Sequence, residues 1–176
     1  MRALIVYESM FGNTEEIARA VSKGLLPYLP ASLVEVGDAP RELPDDVELL
    51  VVGGPTHGFG LSRPGTRDTA ARQAGSSLVS RGQGLREWLR LLPSPRHEVS
   101  AAAFDTRFDK PRWLTGSAAR GAAQALQRLG YRLVSKPVSF YVTSTSGPLA
   151  EGQQERARDW GAAIGAAAAS RRRQLS

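Results

Sequence analysis

The segment Glu8-Ser9-Met10-Phe11-Gly12-Asn13-Thr14 holds two hydroxyls, an amide and a glycine directly after an apolar run. Such residues offer hydrogen-bond donors rather than a proton relay, so the chemistry they suit is anion binding. Apolar positions at Ile17, Ala18, Val21 and Leu25 follow at helical spacing. A helix N-terminus presents unsatisfied N–H groups and the positive end of its dipole, where a phosphate is stabilised. Ser9 and Thr14 add hydroxyls, and Gly12 lets the backbone approach closely. Neither the GxGxxG spacing of dinucleotide folds nor the GK[ST] ending of triphosphatases is present, and no lysine stands in the loop. A monophosphate therefore fits better than a triphosphate. Ser9 and Thr14 serve equally as helix caps, because capping uses the same amides.

Other chemistries are excluded by what the chain lacks. With no cysteine there is no disulfide, no thiolate catalysis and no Cys-ligated metal. His57 and His97 are the only imidazoles, and neither has a second histidine at metal-ligand spacing, so no metal site is expected. Asp45 with Asp46, and Glu15 with Glu16, read as loop and first-turn helix residues, so no catalytic residue is assigned. The formal charge of +6 rests mainly on arginine, but no nucleic-acid recognition motif accompanies it. Arg171, Arg172 and Arg173 read as a solvated tail, giving a domain over 1–170 and a basic C-terminal tail over 171–176. No stretch is long and apolar enough for a membrane span, and a cytoplasmic protein is expected.

The loop acts only if a scaffold positions it. Arg2 to Tyr7 reads as a buried strand, with Leu33–Val36, Leu49–Val52, Val99–Phe104 and Val138–Val142 as further strands and Leu133-Val134 as an earlier part of the fifth. Helices are expected from Asn13, over Leu85–Leu92, over Ser117–Leu129 and from Pro148 onwards. Leu61 to Gly84 reads as a weak helix or a long functional loop. Trp88 and Trp160 fall on apolar helical stripes, and Trp113 is expected to pack at the start of the Ser117 helix. Strands alternating with amphipathic helices imply a doubly wound parallel sheet. In such sheets ligands bind beyond the carboxyl ends of the strands, where strand order reverses.

Tyr7 to Ile17 resembles the phosphate loop of flavodoxins, roughly [ST]-x-T-G-x-T followed by Glu. It matches at Ser9, Gly12, Thr14 and Glu15, has the usual Asn13, and departs at Phe11, where the pattern has threonine. The segment from Gly53 to Gly60, carrying Pro55, Thr56, His57, Gly58 and Phe59, resembles the loop bordering the isoalloxazine ring in flavodoxins and in flavodoxin-like quinone reductases. Asp105, Thr106, Arg107 and Phe108 occupy the place of the other ring loop. The resemblance implies an α/β, flavodoxin-like five-stranded sheet of order 2-1-3-4-5, with helices on both faces. It also implies a flavin mononucleotide (FMN) cofactor, its phosphate at Ser9, Met10, Phe11, Gly12, Asn13 and Thr14, its ring between the other two loops. The function implied is electron transfer through FMN with a redox partner protein, a reductase, an acceptor or both. An NAD(P)H:quinone-type reductase and a flavin-free interaction scaffold stay open as alternatives, as does whether the chain is a monomer. Phe59 and Phe108 are the ring-stacking candidates, while His57 reads as a solvated loop residue. Flavodoxins are acidic, whereas here Arg63, Arg67, Arg107, Lys110 and Arg112 surround the expected ring loops.

Overall fold

The structure is a computed structural model that describes residues 1–75 and 78–175. Its parallel sheet begins with β1 (Arg2–Tyr7), whose side chains alternate between two cores because successive strand residues face opposite ways. Leu4 and Val6 join Trp88, Leu89 and Leu126 on one face. Ala3, Ile5 and Tyr7 join Ile17, Val21 and Ile164 on the other. Around β1 lie β2 (Ala31–Glu35), β3 (Val47–Pro55) and β4 (Ser100–Phe108), all paired in parallel. Beyond β4 come two short strands, β5 (Arg132–Leu133) and β6 (Val138–Val142), which pair with its start and its end respectively. The order is therefore β2-β1-β3-β4 with β5 and β6 sharing the fifth position. The expected fifth strand is thus divided in two, with residues 134–137 passing between its halves.

Helices α1 (Asn13–Leu25) and α6 (Gln153–Leu175) cover one face, and α3 (Leu85–Leu91) and α5 (Ala118–Arg128) the other. The first pair touches backbone to backbone: a Cβ on Gly24 would lie 2.0 Å from the Arg158 carbonyl oxygen. Leu61–Gly84, open between helix and loop on sequence, contains α2 (Pro64–Ala74), which buries only Ala70; Ser76 and Ser77 within it lie outside the described residues. A short helix α4 (Arg112–Thr115) precedes α5. Among the described residues no helix is long and apolar enough to cross a membrane.

Three expectations are corrected. Of the expected 171–176 tail, residues 171–175 are the end of α6, because its apolar stripe continues through Ala168 and its cations meet acids at the amino ends of β3 and β4, while Ser176 lies outside the described residues. Arg171 Nε donates to Glu98 Oε1 at 2.7 Å, and Arg172 lies 3.7 Å from Glu48. Pro148 does not open the last helix; it follows a cis Gly147–Pro148 bond in a turn whose carbonyl accepts from the Thr143 amide at 2.9 Å. Trp113 does not pack at the start of α5 but is 82% exposed on α4. The flanking position before the Ser117 cap is Gly116 and its partner in the first turns is Gly121, so no apolar staple exists for it to join.

Candidate functional site

The loops after β1, β3, β4 and β6 converge on one cleft of about 370 Å³ at the carboxyl edge of the sheet. That volume lies within the usual range for a small-molecule site.

Its polar end is the loop between β1 and α1. Gly12, with φ of 92°, turns the chain into α1. Ser9 is fully buried, and its Oγ accepts from the amides of Gly12 at 3.1 Å and Glu15 at 3.4 Å. Those bonds leave the Ser9 hydroxyl hydrogen free to donate. The amides of Phe11, Asn13 and Thr14 have no hydrogen-bond partner among the described residues, although Asn13 and Thr14 are buried. Thr14 Oγ1 and Thr106 Oγ1 lie 2.7 Å apart, tying this loop to the end of β4. A pair of hydroxyls sharing one bond retains one hydrogen to donate elsewhere. Met10 and Phe11 line the cleft as apolar walls.

A strap absent from the sequence reading holds this loop from outside. Ser80 donates its amide to the Ser9 carbonyl at 2.8 Å, and Ser80 Oγ accepts the Ser9 amide at 2.9 Å. The same hydroxyl donates to Glu35 Oε1 at 2.5 Å. Glu8, fully buried beside Ser9, accepts from the Ser62 hydroxyl and from the Leu85 amide at 2.9 Å. Burial pushes its carboxyl above the usual glutamate pKa of 4.5, against those two bonds, which lower it.

The open end of the cleft is built differently. His57, Gly58, Phe59 and Gly60 form a tight turn closed by the His57 amide to the Gly60 carbonyl at 2.8 Å and the reverse bond at 3.2 Å. Both central residues have positive φ, 48° at Gly58 and 73° at Phe59, as in hairpin turns of type I′. For phenylalanine this is a strained conformation. Phe59 is nonetheless 68% exposed and pairs with Gly116, where any Cβ would meet the Phe59 carbonyl oxygen at 2.1 Å. His57 faces the cleft, and burial together with the Arg67 charge lowers its pKa below the usual 6.5.

Pro55, Thr56, Gly58, Thr106 and Phe108 also line the cleft, whereas Gly12, Gly60 and Asp105 do not. Asp105 lies behind it, fully buried. Its Oδ2 accepts from Ser117 Oγ at 2.6 Å, the Ala119 amide at 2.9 Å and Thr56 Oγ1 at 3.1 Å, while Oδ1 has no partner among the described residues. Asp105 thus joins the β3 loop to the start of α5. Arg107 is 6% exposed and lines the cleft. Its guanidinium donates to the Lys110 carbonyl and Thr115 Oγ1, both at 2.7 Å, and to Ser139 Oγ at 3.0 Å. It makes no ion pair among the described residues, so its charge is balanced by these dipoles and by the Tyr141 ring, 5.6 Å away.

The sequence reading missed Leu114, Thr115, Val142 and Thr145, which complete the lining. A signal existed for two of them: Val142 ends a parallel strand and Thr145 follows it, at the carboxyl edge where ligands bind in such sheets. Leu114 and Thr115 carry no comparable mark.

The sequence model of the Flavodoxin family matches residues 5–83, which contain the β1 loop and the Phe59 turn. No curated protein matches the sequence. Among solved structures, a flavodoxin from the domain Archaea is 16% identical, with a TM-score of 0.64 covering 96% of this chain and 99% of its own. Flavodoxin 1 from Bacillus cereus is 17% identical, with a TM-score of 0.65 over 93% of this chain and 97% of its own. Rubredoxin oxygen:oxidoreductase from Desulfovibrio gigas is 18% identical with a TM-score of 0.64, and 96% of this chain corresponds to 36% of that one. At these identities the structural likeness is one of fold. Strand order and the likeness to these structures give the chain a flavodoxin-like fold, within which residues 5–83 match the Flavodoxin family model.

Proposed function

We propose that this chain binds FMN in the cleft and carries electrons through it between partner proteins. The observation that carries the reading is the set of unpartnered amides and hydroxyls at the α1 N-terminus, opening into the same cleft as the Thr56–Phe59 and Thr106–Phe108 loops. That donor set fits a phosphate dianion, since each donor faces the positive end of the α1 dipole. The other two loops offer Thr56, Phe59 and Phe108 to a planar ring. When bound, FMN supplies one- and two-electron redox chemistry that no side chain here provides.

The polypeptide's part is to bind, orient and tune. Ser9, Thr14 and the amides of Phe11, Asn13 and Thr14 hold the phosphate. Phe11, where flavodoxins have threonine, gives up one hydroxyl and contributes apolar contact instead. Thr56, fixed by Asp105 and by the Ala118 amide donating to its Oγ1 at 2.9 Å, keeps the ring loop in place. Arg107 sets an unpaired positive charge on the cleft wall.

Titration of the apoprotein with FMN and with riboflavin, followed by flavin fluorescence, tests the reading. One FMN per chain and much weaker riboflavin binding are expected, because riboflavin lacks the phosphate. Equal affinity for the two, or no quenching, overturns it. Steady oxidation of NADPH by the FMN-loaded protein and a quinone, with no reductase added, would assign a self-sufficient reductase in place of a carrier.

A further inference from the structure

A second groove, of about 530 Å³, runs between α3 and α5 on the far side of the Phe59 turn. Arg86, Arg90, Arg120 and Arg128 line it, and none of them makes an ion pair among the described residues. The acid nearest in α3, Glu87, is already held by Arg67 at 3.1 Å. Arg86 is turned inward, donating to the carbonyls of Leu61 at 2.6 Å and Ser62 at 3.1 Å. Burial and the neighbouring cations Arg63 and Arg90 lower its pKa.

The arrangement is not explained by helix stability. Arg90 and Arg128 stand in last turns, where a cation suits the helix dipole. Arg120 stands in the first turn of α5, where a cation opposes it. Arg120, Gln124 and Arg128 share one face of α5 and spread charge over about 12 Å at 1.5 Å per residue. That span exceeds a single phosphate, and the groove has no convergent donor set like the one after β1.

The groove also continues into an apolar collar. Phe59 lines both the groove and the FMN cleft. Leu114 (48% exposed) and Phe108 line the cleft with Phe59, and the exposed Trp113 precedes Leu114 on α4. Exposed aromatics bordered by arginines are the composition enriched at protein interfaces.

We infer that the α3–α5 face, with the Phe59–Trp113 collar beside it, docks an acidic redox protein over the mouth of the cleft. The choice of a redox protein rests on the FMN reading; the charge and place of the surface do not. Complementary charge would steer such a partner to the open end of the cleft, and salt would screen it.

The test is an amide chemical-shift titration of the FMN-loaded protein, and of the apoprotein in parallel, with an acidic [2Fe–2S] ferredoxin in its diamagnetic gallium-substituted form. The apoprotein arm keeps the readout intact should FMN fail to bind. Shifts are expected at Arg90, Gly121, Gln124, Arg128, Phe59 and Trp113, fading by roughly 0.3 M NaCl. R120E/R128E should weaken the complex roughly tenfold or more at low salt, with FMN affinity and thermal unfolding unchanged. Shifts confined to the Arg171–Arg173 end of α6, or an unchanged R120E/R128E, overturn the inference. So does a tighter response of the same residues to NADP+, which would make the groove a nucleotide site.

Discussion

The two ends of the cleft are built on opposite principles. After β1, Ser9 and Thr14 are buried and tied to distant parts of the chain, Ser9 to Ser80 and Thr14 to Thr106. At the Phe59 turn, two backbone bonds and one contact with Gly116 hold a strained, largely exposed aromatic. A small anion is bound well only by donors fixed in advance, since ordering them on binding subtracts from affinity. An electron-carrying ring needs the reverse at its edge, an opening that a partner can reach. Asp105 braces the open end from behind, one oxygen joining Thr56 of the β3 loop to the start of α5.

Breaking that joint should give the largest effect. Asp105→Ala strands three donors, and at about 1–3 kcal/mol for each buried unsatisfied group the loss should reach about 3 kcal/mol or more. Urea unfolding measures it, and a loss near zero would mean that Asp105 is not the link. Next comes the anchored end itself. Thr14→Ala removes a hydroxyl bond to a charged group, which costs about 1.5–3 kcal/mol, so FMN affinity should fall roughly ten- to a hundredfold. Thr14→Ser should restore most of it.

A smaller effect concerns charge on the cleft wall. If about 1 kcal/mol of the Arg107 interaction with reduced flavin survives screening, Arg107→Gln makes the second one-electron potential more negative by roughly 40 mV. Spectroelectrochemical titration reads this directly, and an unmoved potential removes Arg107 as a tuning residue. Glu8 contributes an effect of defined sign. Its pKa is higher folded than unfolded, so the folded state binds more protons between the two values and stability falls as pH rises through that window. Glu8→Gln should flatten the decline, gaining on the parent from below pH 4.5 towards neutrality. Chemical denaturation across that range checks the sign. The smallest expected change is at the open end: Phe59→Ala should leave stability within about 0.5 kcal/mol while altering the bound flavin's spectrum. A large destabilisation would show that the turn is a structural element like the loop after β1.

What the sequence determined by itself is local. The apolar run of β1, the helical spacing of α1 and the hydroxyl-glycine loop between them were legible because strand, turn and helix start are set by neighbours a few residues apart. Pairs of residues far apart in the chain were not. Thr14 meets Thr106, Ser9 meets Ser80, and Arg171 meets Glu98, contacts that no spacing announces. Asp105 looked like a ring contact from its place after β4, yet its direction was decided by strand pairing, which turned it towards Thr56 and Ser117. The gap between β5 and β6 follows from pairing with the two ends of β4, and the exposure of Trp113 from glycines where a staple would have stood. Alternation along a strand assigns a side chain to a face of the sheet; only the packed neighbours decide whether that face is core, hinge or binding wall.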